Sequence, residues 1–418
     1  MLTFTCGAGC VSNKTNYNLT VIKPLTGKKA SKTGEWRKVN MKLFIRKLGV
    51  AAFVLSLPLA TFSLGQSVPG FGSVAYAQET DDQTKIDMYK RFVDNRIPNP
   101  RVAYQAARDY LQKYPKDKDQ ITDYLQNWIV FYERDDRKQR LPKLIYNEKG
   151  FGEAYRTGTR ILTDEPNYLR AQIDLGYAGY LATTYCTTVK AEATDTVAKI
   201  AARCMAQPEE VARLNNVPAD RPLQIGQEIK LPASAASSFN AEAISNARKA
   251  IEAIESGKAP DDWNPFKGKD DTLASLYYTL GFLGLKSSPD QAIDSFLKVA
   301  QLESDLKRTP STYYFLAFAY ESGPYKTMSA AFQTNYAGKP ETPESKVALE
   351  KLNVVIDRII DAYARAIAAA GTDPKNAQTR AQSLAPLTNF YKFRHEGSDA
   401  GLTDFIAGAL SRPLPPKP

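Results

Sequence analysis

Apolar residues recur three and four positions apart over most of the chain, the spacing of one buried helix face. From Thr84 to Tyr185, Ile86, Tyr89, Phe92 and Val93 give one helix, and Ala103, Ala106, Ala107, Tyr110 and Leu111 give a second. Asn95–Pro100 and Tyr114-Pro115 break the pattern, because proline disfavours helical backbone in the residue before it. A third helix carries Ile121, Tyr124, Leu125, Trp128, Ile129 and Tyr132. The charge run Glu133–Arg140 behind it reads as a solvated helix end and turn, not as a binding patch. Further on, Ala241–Ser256 is helical, and Glu344–Ala370 is a long amphipathic helix with apolar Val347, Leu352, Val355, Ile356, Ile359, Ile360, Tyr363 and Ile367 and with Gly371 as its stop. Asn376–Phe393 and Leu402–Leu410 are shorter helices that would cap the array. The Pro-rich stretch Arg412–Pro418 is expected to be an extended tail without structure, with a ligand for an aromatic groove as the alternative.

Small residues recur at repeating intervals within these helices. Ala154, Gly158 and Ile161 follow Gly152 on one face, Pro166 marks a turn, and Leu175-Gly176 with Gly179 comes on the next helix. Leu280-Gly281 and Gly284 are followed by Ala292, Phe296, Ala300 and Pro310, and Leu316-Ala317 with Tyr320 repeats the first of these motifs. Small side chains at such positions let the two helices of a hairpin approach closely. The intervals resemble the tetratricopeptide (TPR) repeat, which implies a mainly α chain built as a TPR-like solenoid of helical hairpins; a generic helical bundle is the alternative.

The segment from Thr184 to Pro232 breaks this texture. A β-branched run, Thr187–Val189, leads to a short helix at Asp195–Cys204 and a second at Pro208–Leu214; Asn215-Asn216 opens a loop, and Glu228–Leu231 alternates as a strand does. The order is β-α-α-β. It resembles the LysM domain in Asp195-Thr196, Ile200-Ala201, Glu209-Glu210-Val211, Leu214-Asn215-Asn216, Ile225-Gly226-Gln227 and Ile229-Lys230-Leu231-Pro232. The resemblance implies a shallow groove for a glycan containing N-acetylglucosamine, between the loop after the first strand and the loop before the second. Thr194, Asp195 and Thr196 fall in the first loop, and Asn216, Leu223, Gln224 and Ile225 in the second. The family usually has Gly before the Asp-Thr pair; here Thr194 stands there, and the loop Lys190–Thr194 is two residues longer. Because antiparallel strands bring the ends of such a module together, it can be inserted at the turn of a helix hairpin. The helix Tyr168–Thr183 would then find its partner only at Ala241–Ser256, with Ala233–Asn240 as the return linker.

Charge alters the picture only after the chain is divided. The net charge of +10 suggests a polyanionic partner, but residues 1–77 hold ten of the 55 Lys and Arg and one of the 45 Asp and Glu. What remains is near neutral with the signs interspersed, which argues against nucleic acid. A basic leader from Met41 to Lys47, the apolar run Leu48–Leu64 broken by Pro58, and Ala75-Tyr76-Ala77 read as a cleaved export signal rather than a membrane anchor. Residues 1–40 upstream look like neither a targeting segment nor a domain, and Met41 reads as the start of translation. The expected layout is then an extension at 1–40, a signal peptide at 41–77, helices over 84–183, the LysM-like domain at 184–233, helices over 239–410 and the tail at 411–418. After processing only Cys186 and Cys204 remain, and an even pair in an exported chain reads as a disulfide, with two buried free thiols as the alternative. In the LysM fold, Cys186 would start the first strand and Cys204 would end the helix packed on it.

The search for catalytic chemistry is mostly negative. The single histidine, His395, cannot join a Cys to make a dyad or a common zinc cluster. Asp261-Asp262 and Asp270-Asp271 read as loop solvation and as acids at a helix N-terminus. The expectation is a non-enzymatic exported protein of the periplasm or cell surface, without metal or cofactor and without a membrane span after signal cleavage. Its expected partners are peptidoglycan or a related glycan and another envelope protein.

Overall fold

In a computed structural model of the chain, residues 72–418 are described, with side chains from residue 81. The export signal at 41–77 lies outside these residues, apart from its last few. Cys6 and Cys10 lie outside them too. The chain divides into two units, Met1–Val93 and Asp94–Pro418. In the first, the described part belongs to helix α1 (Gly72–Asn95), where the rings of Tyr89 and Phe92 stack 6.0 Å apart. Among the described residues no helix is long and apolar enough to cross a membrane.

The second unit is mainly α with one small sheet. It opens with α2 (Pro100–Lys113) and α3 (Gln120–Pro142), the latter capped by Asp119, whose side chain accepts from Thr122 N–H at 2.8 Å. The charge run Glu133–Arg140 lies inside α3 instead of ending it. Its charges are used across the helix pair: Arg137 meets Asp164 at 2.8 Å and Lys138 meets Glu165 at 2.6 Å, both at the end of α4 (Phe151–Asp164). Partners of opposite sign on the neighbouring helix pair with two of its charges.

Next comes α5 (Leu169–Tyr185), followed by a pair of three-residue strands, β1 (Thr188–Lys190) and β2 (Glu228–Lys230). Between the strands stand α6 (Val197–Arg203) and α7 (Pro208–Asn215). The short helix α8 (Ala233–Ser237) returns the chain to α9 (Asn240–Glu255). Then follow α10 (Lys269–Gly284), α11 (Pro289–Gln301), α12 (Pro310–Tyr320), α13 (Lys326–Tyr336), α14 (Pro343–Ala370), α15 (Ala377–Arg394) and α16 (Leu402–Ala407). Thr342 starts the long α14 through a capping box with Ser345.

Neighbours in this series pack on one another: α4 on α5, α9 on α10, α10 on α11, α11 on α12, α12 on α14, and α14 on α15. Two of the contacts skip elements in sequence order: α12 reaches α14 past α13, and α5 has its main partner in α9, on the far side of the β-α-α-β segment. Small residues set the closeness of that pair. A Cβ added at Gly179 would lie 2.2 Å from Ala243 Cβ, and one at Gly176 would lie 2.9 Å from Ala247 Cα.

The stretch Arg412–Pro418 departs from its expectation, because it is not a structureless end. Buried Arg365 of α14 donates to the carbonyls of Arg412 and Pro413, and Leu414 packs on Ala300, Tyr313 and Ala366. Proline content argued for an extended chain, and it is extended, but arginine donors on α14 hold it down.

Gly179→Ala places a methyl where Ala243 already stands. Overpacking of a close helix pair costs about 1–3 kcal/mol, and a urea unfolding midpoint that falls accordingly, with native helicity retained, is the expected result.

Candidate functional site

The two strands run antiparallel, with Thr188 opposite Lys230, Val189 opposite Ile229, and Lys190 opposite Glu228. Alternation places Val189 and Ile229 on the buried face, where Val197, Ile200 and Ala201 of α6 and Val211 of α7 cover them. With strands this short, the polar connections carry much of the order. Thr196 caps α6 by accepting from Lys199 N–H at 3.3 Å, and the side chain of Asn215 brackets Lys230, accepting from its N–H at 2.8 Å and donating to its carbonyl at 2.7 Å.

Beyond the Lys190–Glu228 end of the sheet the two connecting loops run side by side. Gly226 N–H donates to Ala191 O and Ala191 N–H to Gln227 O, each at 2.8 Å. Leu223 N–H donates to Asp195 O at 2.9 Å, and Thr196 forms a β-bridge with Pro222. Six residues expected at the site are therefore brought together: Thr194, Asp195 and Thr196 from one loop, and Leu223, Gln224 and Ile225 from the other. Thr194 and Gln224 are exposed, and Ile225 stands 78% exposed beside them.

Three of the expected site residues do other work. Asp195 is 1% exposed, and both its oxygens are taken by Arg203 at the end of α6, at 2.8 and 3.0 Å, with Glu192 N–H donating as well. Its carboxylate braces the loop from within. Leu223 is a core residue of the same module. Asn216 is the left-handed C-cap of α7 (φ 54°), and its neighbour Asn215 ties that helix end to Lys230, at the other end of the strand pair from the joined loops. Sequence reasoning missed Arg203. It lies eight residues from Asp195, a spacing that brings no pair together on a helix, so only the turn before α6 creates the contact. It also missed Lys199, whose ammonium donates to Thr194 O at 2.7 Å.

Thr194 has φ 68°, in the left-handed region that favours glycine. Gly at this place would carry no Cβ penalty, whereas a β-branched residue there costs about 1–2 kcal/mol. The Lys199 bond to its carbonyl helps to hold the strained residue in place.

Cys186 and Cys204 are joined as a disulfide. Cys186, however, does not start the strand. It is the C-cap of α5, its N–H bonded to Ala182 O at 2.7 Å, while Cys204 is the C-cap of α6. The bridge thus fastens the module to a scaffold helix. The interior is shared as well: Leu141, Leu144, Phe151 and Ala154 belong to one apolar cluster with Val189, Val197, Ile200, Val211 and Ile229. Phe151 packs edge-on against Tyr185 at 5.8 Å, and Tyr155 stacks on Phe239 at 4.6 Å. Gly152 is the contact point. A Cβ there would lie 2.5 Å from Ala202 O of α6, so this glycine serves the docking of the module and not the hairpin spacing that its place in the repeat suggested.

Residues 188–232 match the LysM domain. No curated protein and no solved structure matches the chain. The LysM domain therefore sits between α5 and α9, both of which pack on each other and share their core with it.

Thr194→Gly relieves the left-handed strain and is expected to raise stability by roughly 1 kcal/mol, read from the urea midpoint. Replacing both Cys186 and Cys204 by Ser removes a cross-link worth roughly 3 kcal/mol for a loop of this length. Because the core is continuous, the loss should appear in the far-ultraviolet helical signal of the scaffold; a midpoint unchanged by the double replacement would show that the bridge carries no load.

Proposed function

We propose that the LysM domain binds a peptidoglycan-type glycan containing N-acetylglucosamine across its joined loops. The helical scaffold is then a TPR-like platform for a second envelope protein, in a chain exported to the periplasm or cell surface. The observation that carries the glycan reading is the stitching of the two loops through Leu223–Asp195 and Thr196–Pro222. It makes one continuous surface with an apolar side chain, Ile225, raised beside the polar Thr194 and Gln224. A sugar needs that combination, with apolar atoms under the ring face and polar groups at its rim. The platform reading is supported by the successive packing of neighbouring helices and by the glycine-lined contact of α5 with α9.

A non-enzymatic role fits what the candidate catalytic groups are doing. His395 is the C-cap of α15 and stacks on Tyr391 at 4.0 Å. Asp262 pairs with Arg170 at 2.9 Å, and Asp271 accepts from Lys267 N–H at 3.0 Å. The competing reading is an assembly factor whose LysM domain contacts no sugar. It is favoured by the inward Asp195 and by the strained Thr194 in the first loop.

Co-sedimentation of the mature chain with purified peptidoglycan separates the two. Deleting the domain would also remove part of the scaffold core, so point changes are the right instrument. Ile225→Asp and Gln224→Ala alter exposed residues only. Each is expected to weaken binding, Ile225→Asp by about ten- to a hundredfold in affinity, since a desolvated apolar contact of its size is worth about 1.5–3 kcal/mol. If the unaltered chain stays in the supernatant, the glycan reading fails.

A further inference from the structure

Residues Arg412–Pro418 read Arg-Pro-Leu-Pro-Pro-Lys-Pro, so four of the seven have no backbone N–H. Such a segment offers a partner mainly carbonyl acceptors. The scaffold face beneath it supplies donors. Arg365 is 4% exposed, and its Nε is held by Asp361 at 2.6 Å. That bond fixes the guanidinium plane and aims Nη2 at two successive carbonyls, Arg412 O at 3.0 Å and Pro413 O at 2.8 Å. Two turns back along α14, Arg358 Nε donates to Pro416 O at 2.8 Å.

Three side chains add to this grip on the backbone, and the first is Arg412, which lies over the Phe405 ring at 3.9 Å and donates to Phe405 O at 2.9 Å. Leu414 packs among Ala300, Tyr313 and Ala366, which come from α11, α12 and α14. The Lys417 ammonium sits between the carboxylate oxygens of Asp294 on α11, at 2.8 and 2.9 Å. Carbonyl-directed donors, one apolar anchor and one charge pair are the components of extended-peptide recognition. The contacts are also shallow. Pro413, Pro416 and Lys417 remain exposed, and Leu414 is only half-buried, so the segment lies on the surface of this face and not within the core.

We propose that the face formed by α11, α12 and α14 is a binding site for an extended proline-rich segment of another protein, and that Arg412–Pro418 occupies it in cis. The segment recognised would carry a leucine between prolines and a lysine three residues later. The proposal rests on the reading of the helices as a protein-binding platform and names the chemistry of what they hold. The cis segment then competes with the partner and sets a threshold for its binding.

A fluorescent peptide of residues 411–418 tests this by anisotropy against the full chain and against the full chain carrying Leu414→Asp with Lys417→Glu. A tethered competitor acts at an effective concentration of about a millimolar, so the doubly altered chain should bind the peptide at least about tenfold more tightly than the unaltered one. A peptide with Leu414→Asp should bind neither. Equal affinity for both chains, or no binding to a doubly altered chain of native circular dichroism, overturns the proposal. A chain ending at Ser411 repeats the comparison should the double change impair folding. A concentration-dependent dimer of the unaltered chain that the altered chain does not form would place a second copy on the face, and would also overturn it. Neither change touches the LysM domain, so peptidoglycan sedimentation reports separately on the glycan reading.

Discussion

A module with two three-residue strands and two helices of seven and eight residues has room for only a small apolar core of its own. The rest of the arrangement answers that shortage. Phe151 and Ala154 extend the module's core into α4, and Cys186 fastens the end of α6 to the end of α5. Asp195 and Arg203 tie the first loop to the same α6. Each of these contacts ends on α6 or on the residues it covers. That short helix is therefore where the module is held, and Gly152 is the position on the scaffold that lets it come close enough.

What the sequence made legible follows from range. The β-α-α-β order was readable because alternation and helical spacing are local signals, and Thr196 caps α6 as a threonine before an apolar helix should. The pairing of Cys186 with Cys204 needed only a count. The failures all involve contacts between residues that no local rule connects. The β-branched run that directly follows Cys186 points to a strand start there, but α5 continues to Tyr185 and takes the cysteine as its cap. The Glu133–Arg140 run looked solvated because its partners, Asp164 and Glu165, lie across a helix pair. Asp195 stands in the right loop for a groove residue, and only its contact with Arg203, at the far end of α6, shows which way it faces.

The Pro-rich stretch teaches the same lesson from the opposite side. Prolines told correctly that the segment neither forms a helix nor joins a sheet, since both need N–H donors. They could not tell whether it would be free in solution. That depended on arginines more than forty residues away, Arg358 and Arg365, which lie one above the other on α14 and present donors to a chain made of acceptors.

The seating of the LysM domain also bears on how a two-ended protein would work. A glycan-binding module on a flexible linker lets its cargo roam over the linker's reach, and any coupling between the ends is an average over many geometries. Here the turns that leave and re-enter the scaffold are short: Cys186 is itself the cap of α5, and Ala235 and Phe239 are buried in the shared cluster before α9 begins. The joined loops connect to α6 through Thr196 and Asp195, α6 joins α5 through the disulfide, and α5 joins α9 along its glycines. That series contains no swivel. Under the proposed function, a partner held on the helices would keep a fixed distance and orientation relative to the glycan, and the chain would act as a spacer as much as a tether.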